Sequence, residues 1–164
     1  MSTTKFIPKP NTKTPYVVGI DPDLNASGVA AWCHLSRSWL FAKSVSIESI
    51  LDSLKELNPK ETTVYVECGW LNKKANYRNT KNRAASESIA MKVGQNHATG
   101  KLIIKLLEAS GYIVEKFKPL RKGFFKGEAG WTEHGRKHVA KESGLSHSMN
   151  DDVRDAIFTV LHFK

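Results

Sequence analysis

The sequence predicts an α/β domain, a mixed five-stranded sheet with helices on both faces. Two patterns point there. Short β-branched or alternating runs recur along the chain, and helix-period apolar residues separate the later ones. The first three runs lie close enough for an antiparallel meander. The later strand–helix–strand units favour parallel neighbours joined by right-handed crossovers.

Residues 1–14 are polar, with Pro8, Pro10 and Asn11, and read as a disordered lead-in; residues 15–164 read as one domain. Tyr16-Val17-Val18-Gly19-Ile20 reads as the first strand. The breakers from Asp21 to Gly28 make a turn. Val29 to Cys33 and Trp39 to Val45 are the second and third strands, with Ser36-Arg37-Ser38 between them as a hairpin turn. Ser46 is placed as the N-cap of a helix carrying Ile47, Ile50, Leu51, Leu54 and Leu57, which Asn58-Pro59 stops. Thr62 to Glu67 is a β-branched strand. Ala84 to Ser110 is the longest helical stretch, with Ile89, Val93, Gly100, Ile103, Ile104 and Leu107 on or near one face. Gly94 and Gly100 cost helix propensity, about 1 kcal/mol each, and suggest close approach of another backbone. Gly111 fits a C′ position, and Tyr112 to Phe117 is the fifth strand. Thr132 to Glu142 is a helix. A last helix starts near Asn150 and presents Val153, Ala156, Ile157, Val160 and Leu161.

Composition excludes several classes. No apolar run approaches about 18 residues, so no membrane span is expected. The amino end lacks an apolar signal core, and two cysteines, Cys33 and Cys68, make no disulfide framework. A reducing, cytoplasmic setting follows, nucleoid-associated or in a host cytoplasm if the chain is viral. No GxxxxGK[ST] loop occurs, so no nucleotide cofactor is expected.

The chain carries 25 Lys+Arg against 16 Asp+Glu, a net +9. The excess is concentrated. Residues 71–83 hold Lys73, Lys74, Arg78, Lys81 and Arg83 without an acid, and residues 116–127 hold Lys116, Lys118, Arg121, Lys122 and Lys126 without an acid. The rest of the chain is close to neutral. Two basic segments on a neutral frame point to nucleic-acid contact surfaces, with two solvated basic loops as the plainer alternative.

Acids occupy the opposite kind of position. Asp21 ends the first strand and Glu67 the fourth; Asp152 and Asp155, three apart, share a face of the last helix. Sites in open α/β sheets form beyond the carboxyl ends of strands. Such a cluster repels itself unless cations fill it, and hard oxygen ligands suit Mg²⁺, with Mn²⁺ able to substitute. Two ions roughly 4 Å apart can activate water and stabilise the leaving oxygen in phosphodiester cleavage. Singly, Asp21 and Asp23 can cap a turn, and Asp151 and Asp152 can complement a helix dipole. Together, at these positions, the metal site is favoured.

Four segments then resemble one family. Val18-Gly19-Ile20-Asp21-Pro22 with Ser27-Gly28 resembles the opening strand and turn of RuvC-type Holliday junction resolvases. Val66-Glu67-Cys68-Gly69-Trp70 resembles their second acidic motif. The segment from Val93 to Gly100 is similar to their glycine-containing helix, and Asp152-Val153-Arg154-Asp155-Ala156-Ile157 to their closing motif. The match runs in order from about Tyr16 to Phe163, nearly the whole chain.

The resemblance implies a ribonuclease H-like fold and a homodimer that nicks a four-way DNA junction symmetrically. Asp21, Glu67, Asp152 and Asp155 would hold two Mg²⁺ ions, with water as nucleophile. Trp70 would stand where the family has an aromatic near the exchange point; a core or cap tryptophan is the alternative. Lys122 and Lys126, with Arg136 and Lys137 on the following helix, would lie near the scissile phosphate. Lys73, Lys74, Arg78, Lys81 and Arg83 would contact DNA. The chain departs from the pattern at Asp23, where the family has glycine, in the longer stretch from Leu71 to Ser86, and from Phe124 to Trp131.

Other constellations are weaker. His134 and His138 have a zinc-compatible spacing but no clear third ligand, and Cys68 has no paired histidine motif. Competing readings are a ribonuclease H-like nuclease on RNA, RNA–DNA hybrid or flap DNA, and a non-catalytic DNA-binding module. An actin-like ATPase shares the opening motif but needs two such domains.

Overall fold

Alternation along the central strands decides the architecture, because successive side chains leave a strand on opposite faces. The computed structural model describes residues 14–72, 82–145 and 149–164. Its strands are β1 (Tyr16–Asp21), β2 (Ser27–Cys33), β3 (Ser38–Val45), β4 (Thr62–Glu67), β5 (Ile113–Phe117), β6 (Lys126–Gly127) and β7 (Gly130–Trp131). Its α-helices are α1 (Ile50–Ser53), α2 (Arg83–Ala109), α3 (Glu133–Ser143) and α4 (Asp151–Phe163).

The main sheet has five strands in the order β3-β2-β1-β4-β5. β1, β2 and β3 form the antiparallel meander, while β4 runs parallel to β1 and β5 parallel to β4. Val18, Ile20, Val64 and Val66 face one side, where they meet Ile50, Leu54, Ile103 and Leu107 of the α1 and α2 segments. Val17, Ala30, Tyr65 and Phe117 face the other and meet Val139 of α3 and Val153, Ile157 and Phe163 of α4. The Tyr65 and Phe163 rings stack at 4.1 Å. Two apolar layers on one sheet account for the continuous apolar runs of β1 and β4.

Three local expectations are corrected. The helix placed from Ile47 to Leu57 is a single α-turn, preceded by a 3-10 turn at Ile47–Ser49. Leu54, Lys55 and Leu57 instead donate their amides three residues back, to Leu51, Asp52 and Leu54. The Ser53 hydroxyl takes the Ile50 carbonyl, and the Tyr112 hydroxyl donates 2.9 Å to the Leu54 carbonyl. These local bonds compete with the helical ladder. Ser46 makes no side-chain cap; its hydroxyl donates to Ser49. Of the two helix glycines, Gly100 receives a side chain rather than a backbone, and Gly94 faces open space with nothing within 4 Å of an added Cβ.

The β6–β7 hairpin lies in the stretch from Phe124 to Trp131 that departs from the family pattern. Gly111 has φ 85° and closes α2 as expected. Thr14, counted with the lead-in, is buried and lies 2.7 Å from Thr63, hydroxyl to hydroxyl. Both cysteines are buried and free. Among the described residues no helix is long and apolar enough to cross a membrane.

Candidate active site at the carboxyl edge of the sheet

Strand register sets the first two acids side by side. In the parallel β1–β4 pair Ile20 lies opposite Val66, so Asp21 and Glu67 follow together at the carboxyl ends. On the other flank Asp21 pairs with Gly28 of β2. Here the glycine is needed. A Cβ on Gly28 would stand 1.9 Å from the Asp152 carbonyl oxygen, and one on Gly19 would stand 2.5 Å from that of Ala156. The two glycines let α4 lie directly on β1 and β2. Its start is capped by the Asn150 side chain, which accepts from the Val153 amide at 2.9 Å, and its first two turns bring Asp152 and then Asp155 to Asp21.

Electrostatics register the convergence. Burial holds the Asp21 carboxyl well above its ordinary range, and the charges of Glu67, Asp155 and Asp152 push it further; Lys122 offsets only part. Part of Asp21 still touches water, but its carboxyl is set among three others. Glu67 is also raised, by burial first, against the pull of Lys122. Asp152 rises to about 6, from burial and then the nearby charges of Asp23 and Asp155. Asp23 accepts from the Asn25 amide at 2.9 Å and the Asn96 side-chain amide at 3.2 Å, so it ties the turn to α2 while adding negative charge beside Asp152.

Two lysines answer this charge. Lys122 Nζ lies 2.7 Å from Asp155 Oδ1 and 3.5 Å from Glu67 Oε2, and Lys126 Nζ pairs with Asp155 Oδ2. Lys122 and Asp155 side chains are 7% and 2% exposed, so this is a buried pairing rather than a surface one. Burial alone would lower the Lys122 pKa; the Glu67 and Asp155 charges outweigh it, and the net shift is upward. Lys122 and Lys126 between them hold both carboxylate oxygens of Asp155.

Among the described residues, no three His, Cys, Asp or Glu side chains stand close enough, as placed, to grip one ion. The donor set still fits a hard divalent cation. It offers carboxylate oxygens from β1, β4 and α4 with mutually raised carboxyl groups, the hard ligands such an ion takes.

The remaining expected residues divide. Trp70 is half-buried after β4, in the 3-10 turn Gly69–Leu71. Its ring fills the notch left by Gly100, where a Cβ would come within 2.8 Å. His97 meets it edge-on at 5.8 Å and Lys101 lies 5.6 Å from the ring centre. Trp70 and His97, with Asp21 and Glu67, line a cavity of about 170 Å³. Arg83 starts α2 and pairs with Glu87 at 2.8 Å, both exposed. On α3, Arg136 is exposed and Lys137 pairs with Glu133 at 2.7 Å on the surface. Lys73, Lys74, Arg78 and Lys81 lie outside the described residues.

Sequence reasoning did not single out Asn96 or His97. The signal available was their position between Gly94 and Gly100, one turn before the glycine that admits Trp70. His134 and His138 hold no metal arrangement: both stack on Phe125, at 5.4 and 4.3 Å.

No family model matches the sequence, and no curated protein does. Solved structures do match. The structure is similar to T. thermophilus RuvC in complex with Holliday junction substrate, with TM-score 0.51, 17% identity and 87% of each chain covered. A Thermus thermophilus RuvC structure aligns with TM-score 0.49 and 16% identity over 90% of this chain and 97% of that one. The fold is therefore of the ribonuclease H-like α/β class. More particularly it is the fold of that RuvC structure.

Proposed function

We propose that this chain is a divalent-metal-dependent, structure-selective DNA endonuclease that resolves four-way junctions by paired symmetric nicks, acting as a homodimer. The observation that carries the reading is the meeting of Asp21, Glu67, Asp152 and Asp155 at one sheet edge, with the buried Lys122 and the half-buried Lys126 against them. The similarity to a RuvC bound to a Holliday junction supports the choice of branched DNA.

Asp21, Glu67, Asp152 and Asp155 would hold the metal. When bound, Mg²⁺ would supply charge stabilisation and an activated water for phosphodiester hydrolysis, leaving a 5′-phosphate and a 3′-hydroxyl. The chain's own groups do the rest. Asp21 and Glu67, on adjacent rigid strand ends, fix the site against the sheet. Asp155, buried at 2% exposure, orients α4 and keeps water from its side of the cluster. Lys122 and Lys126 balance the carboxylates and offer positive charge to an approaching phosphate. Trp70, Arg83, Arg136 and Lys137 belong to the DNA path in this reading. So do Lys73, Lys74, Arg78 and Lys81.

The test is a cleavage panel of a synthetic mobile four-way junction, a flap, an RNA–DNA hybrid and a linear duplex, with Mg²⁺ and with chelator. Paired nicks in opposite strands of the junction, dependent on the metal, are expected. Asp21→Asn and Asp155→Asn should abolish nicking and retain junction binding. Wild-type cutting by either variant, or a preference for hybrid or flap, would refute the reading.

A further inference from the structure

Phe124 has no structural reason to be where it is. Its side chain is 93% exposed, the most exposed of the large apolar residues among those described. Single exposed apolar residues are common, so exposure alone decides nothing. The backbone beneath this one is unusually constrained.

Phe124 is the middle residue of the 3-10 turn Gly123–Phe125, entered through Gly123 at φ 52°. The Phe125 amide donates to the Lys122 carbonyl at 2.9 Å and closes the turn. The Thr132 hydroxyl donates to the Phe124 carbonyl at 2.9 Å, and the Thr132 amide to the Phe125 carbonyl at 2.9 Å. Phe125 itself turns inward and stacks 4.3 Å from His138 at an interplanar angle of 7°. The turn is seated on α3 through Gly135, where a Cβ would fall 2.1 Å from the Phe125 carbonyl oxygen. Of two adjacent phenylalanines, one is clamped into the protein and the other is held out into water.

The turn is also hung on the acidic cluster. Lys122, two residues before Phe124, and Lys126, two residues after it, both pair with Asp155. The turn that carries the ring is thus tied to Asp155 by the lysine on either side of it. Of the five basic side chains in residues 116–127, Lys116, Lys122 and Lys126 pair with acids, while Lys118 and Arg121 are exposed just before the turn. An aromatic ring in a basic surface is the combination that binds nucleic acid: cations hold the backbone and the ring takes a base.

We propose that Phe124 is a DNA-contacting wedge. It stacks on a base of the nucleotide step next to the scissile phosphodiester, and in doing so unstacks that step so the backbone can bend into the acidic edge. This is a second aromatic contact, separate from Trp70, whose ring is already docked on Gly100. It rests on the reading of the acidic edge as a phosphodiester site. A pre-positioned ring loses little freedom on binding, so the device is efficient.

The experiment places 2-aminopurine singly at each position around the mapped nick sites of a four-way junction. Fluorescence is read on binding in Ca²⁺ and nicking is timed in Mg²⁺. Wild type should raise the signal several-fold at one position beside the nick. Phe124→Ala should lose that rise and nick about tenfold more slowly or worse, whereas Phe124→Trp should keep both. Melting temperature should not move in either variant, since the ring is exposed. A full fluorescence rise with Phe124→Ala overturns the proposal and leaves the endonuclease reading intact. A lowered melting temperature also overturns it, because the ring is then structural. A change from dimer to monomer on sedimentation overturns it in favour of a contact between copies of the chain. If wild type binds none of the DNA substrates, both this proposal and the reading beneath it fail.

Discussion

Lys122 occupies the point where the carboxylates most need a cation. Its side chain is 7% exposed and its ammonium reaches both Glu67 and Asp155. Removing one member of a buried pair leaves the other uncompensated. Lys122→Met should therefore destabilise the metal-free protein by on the order of 3 kcal/mol in denaturant melts. Mg²⁺ should restore more stability to that variant than to wild type; equal restoration would show that lysine and metal do not share the carboxylates. Asp152 gives a pH dependence of definite sign. Its folded value is raised from 3.8 to about 6, so between those pH values the native state holds a proton the unfolded chain has released. Stability must then fall as pH rises through that window. Asp21 and Glu67 are raised and act in the same direction, while the raised Lys122 contributes throughout this range and loses its effect only at alkaline pH. Metal-free protein should melt higher at pH 5 than at pH 7. Asp152→Asn should flatten part of that slope, and calorimetry across the window reads it directly.

At the scale of elements, glycines decide how closely helices approach the sheet. Gly28 has no space for a side chain, because the α4 backbone lies where its Cβ would be. Gly28→Ala should cost about 3 kcal/mol by forcing α4 outward, and should slow nicking by moving Asp152 from Asp21. Gly94→Ala in α2 meets nothing and should stabilise by about 1 kcal/mol through helix propensity. Unfolding midpoints of the two variants should move in opposite directions. A fall with Gly94→Ala would mean that the glycine is needed by something outside the described residues. The elements were unevenly legible. β1 and β4 were plain, since short runs rich in β-branched residues and buried on both faces have few alternatives. The short α1 segment was not, because its apolar spacing is helical while Ser53 and Tyr112 take backbone carbonyls. The β6–β7 hairpin has two residues per strand, too few for any periodic signal.

Over the whole chain, the basic excess is concentrated in residues 71–83 and 116–127. A protein that neutralises phosphates releases counterions, so junction affinity should fall steeply with salt. Replacing Lys73, Lys74, Arg78, Lys81 and Arg83 with Gln should weaken binding and reduce the log–log salt slope by up to about four units. Filter binding from low to moderate salt measures it. An unchanged slope would remove that segment from the DNA path. The remote convergence of the acids was legible in part. Asp21 and Glu67 stand at strand ends and Asp152 and Asp155 on one helix face, so the four stood out together rather than singly, and the family resemblance gave them a common role.

Residue order and periodicity by themselves determined the sheet, its sidedness and the acids at its carboxyl edge, because strand and helix repeats are local properties. They did not determine what neutralises those acids. That Lys122 and Lys126 turn inward to Asp155, that Trp70 is seated on Gly100, and that Phe124 is held outward while Phe125 stacks on His138 were decided by packing between elements distant in sequence. Side-chain direction in an irregular segment depends on which backbone approaches it, and only the assembled fold supplies that backbone.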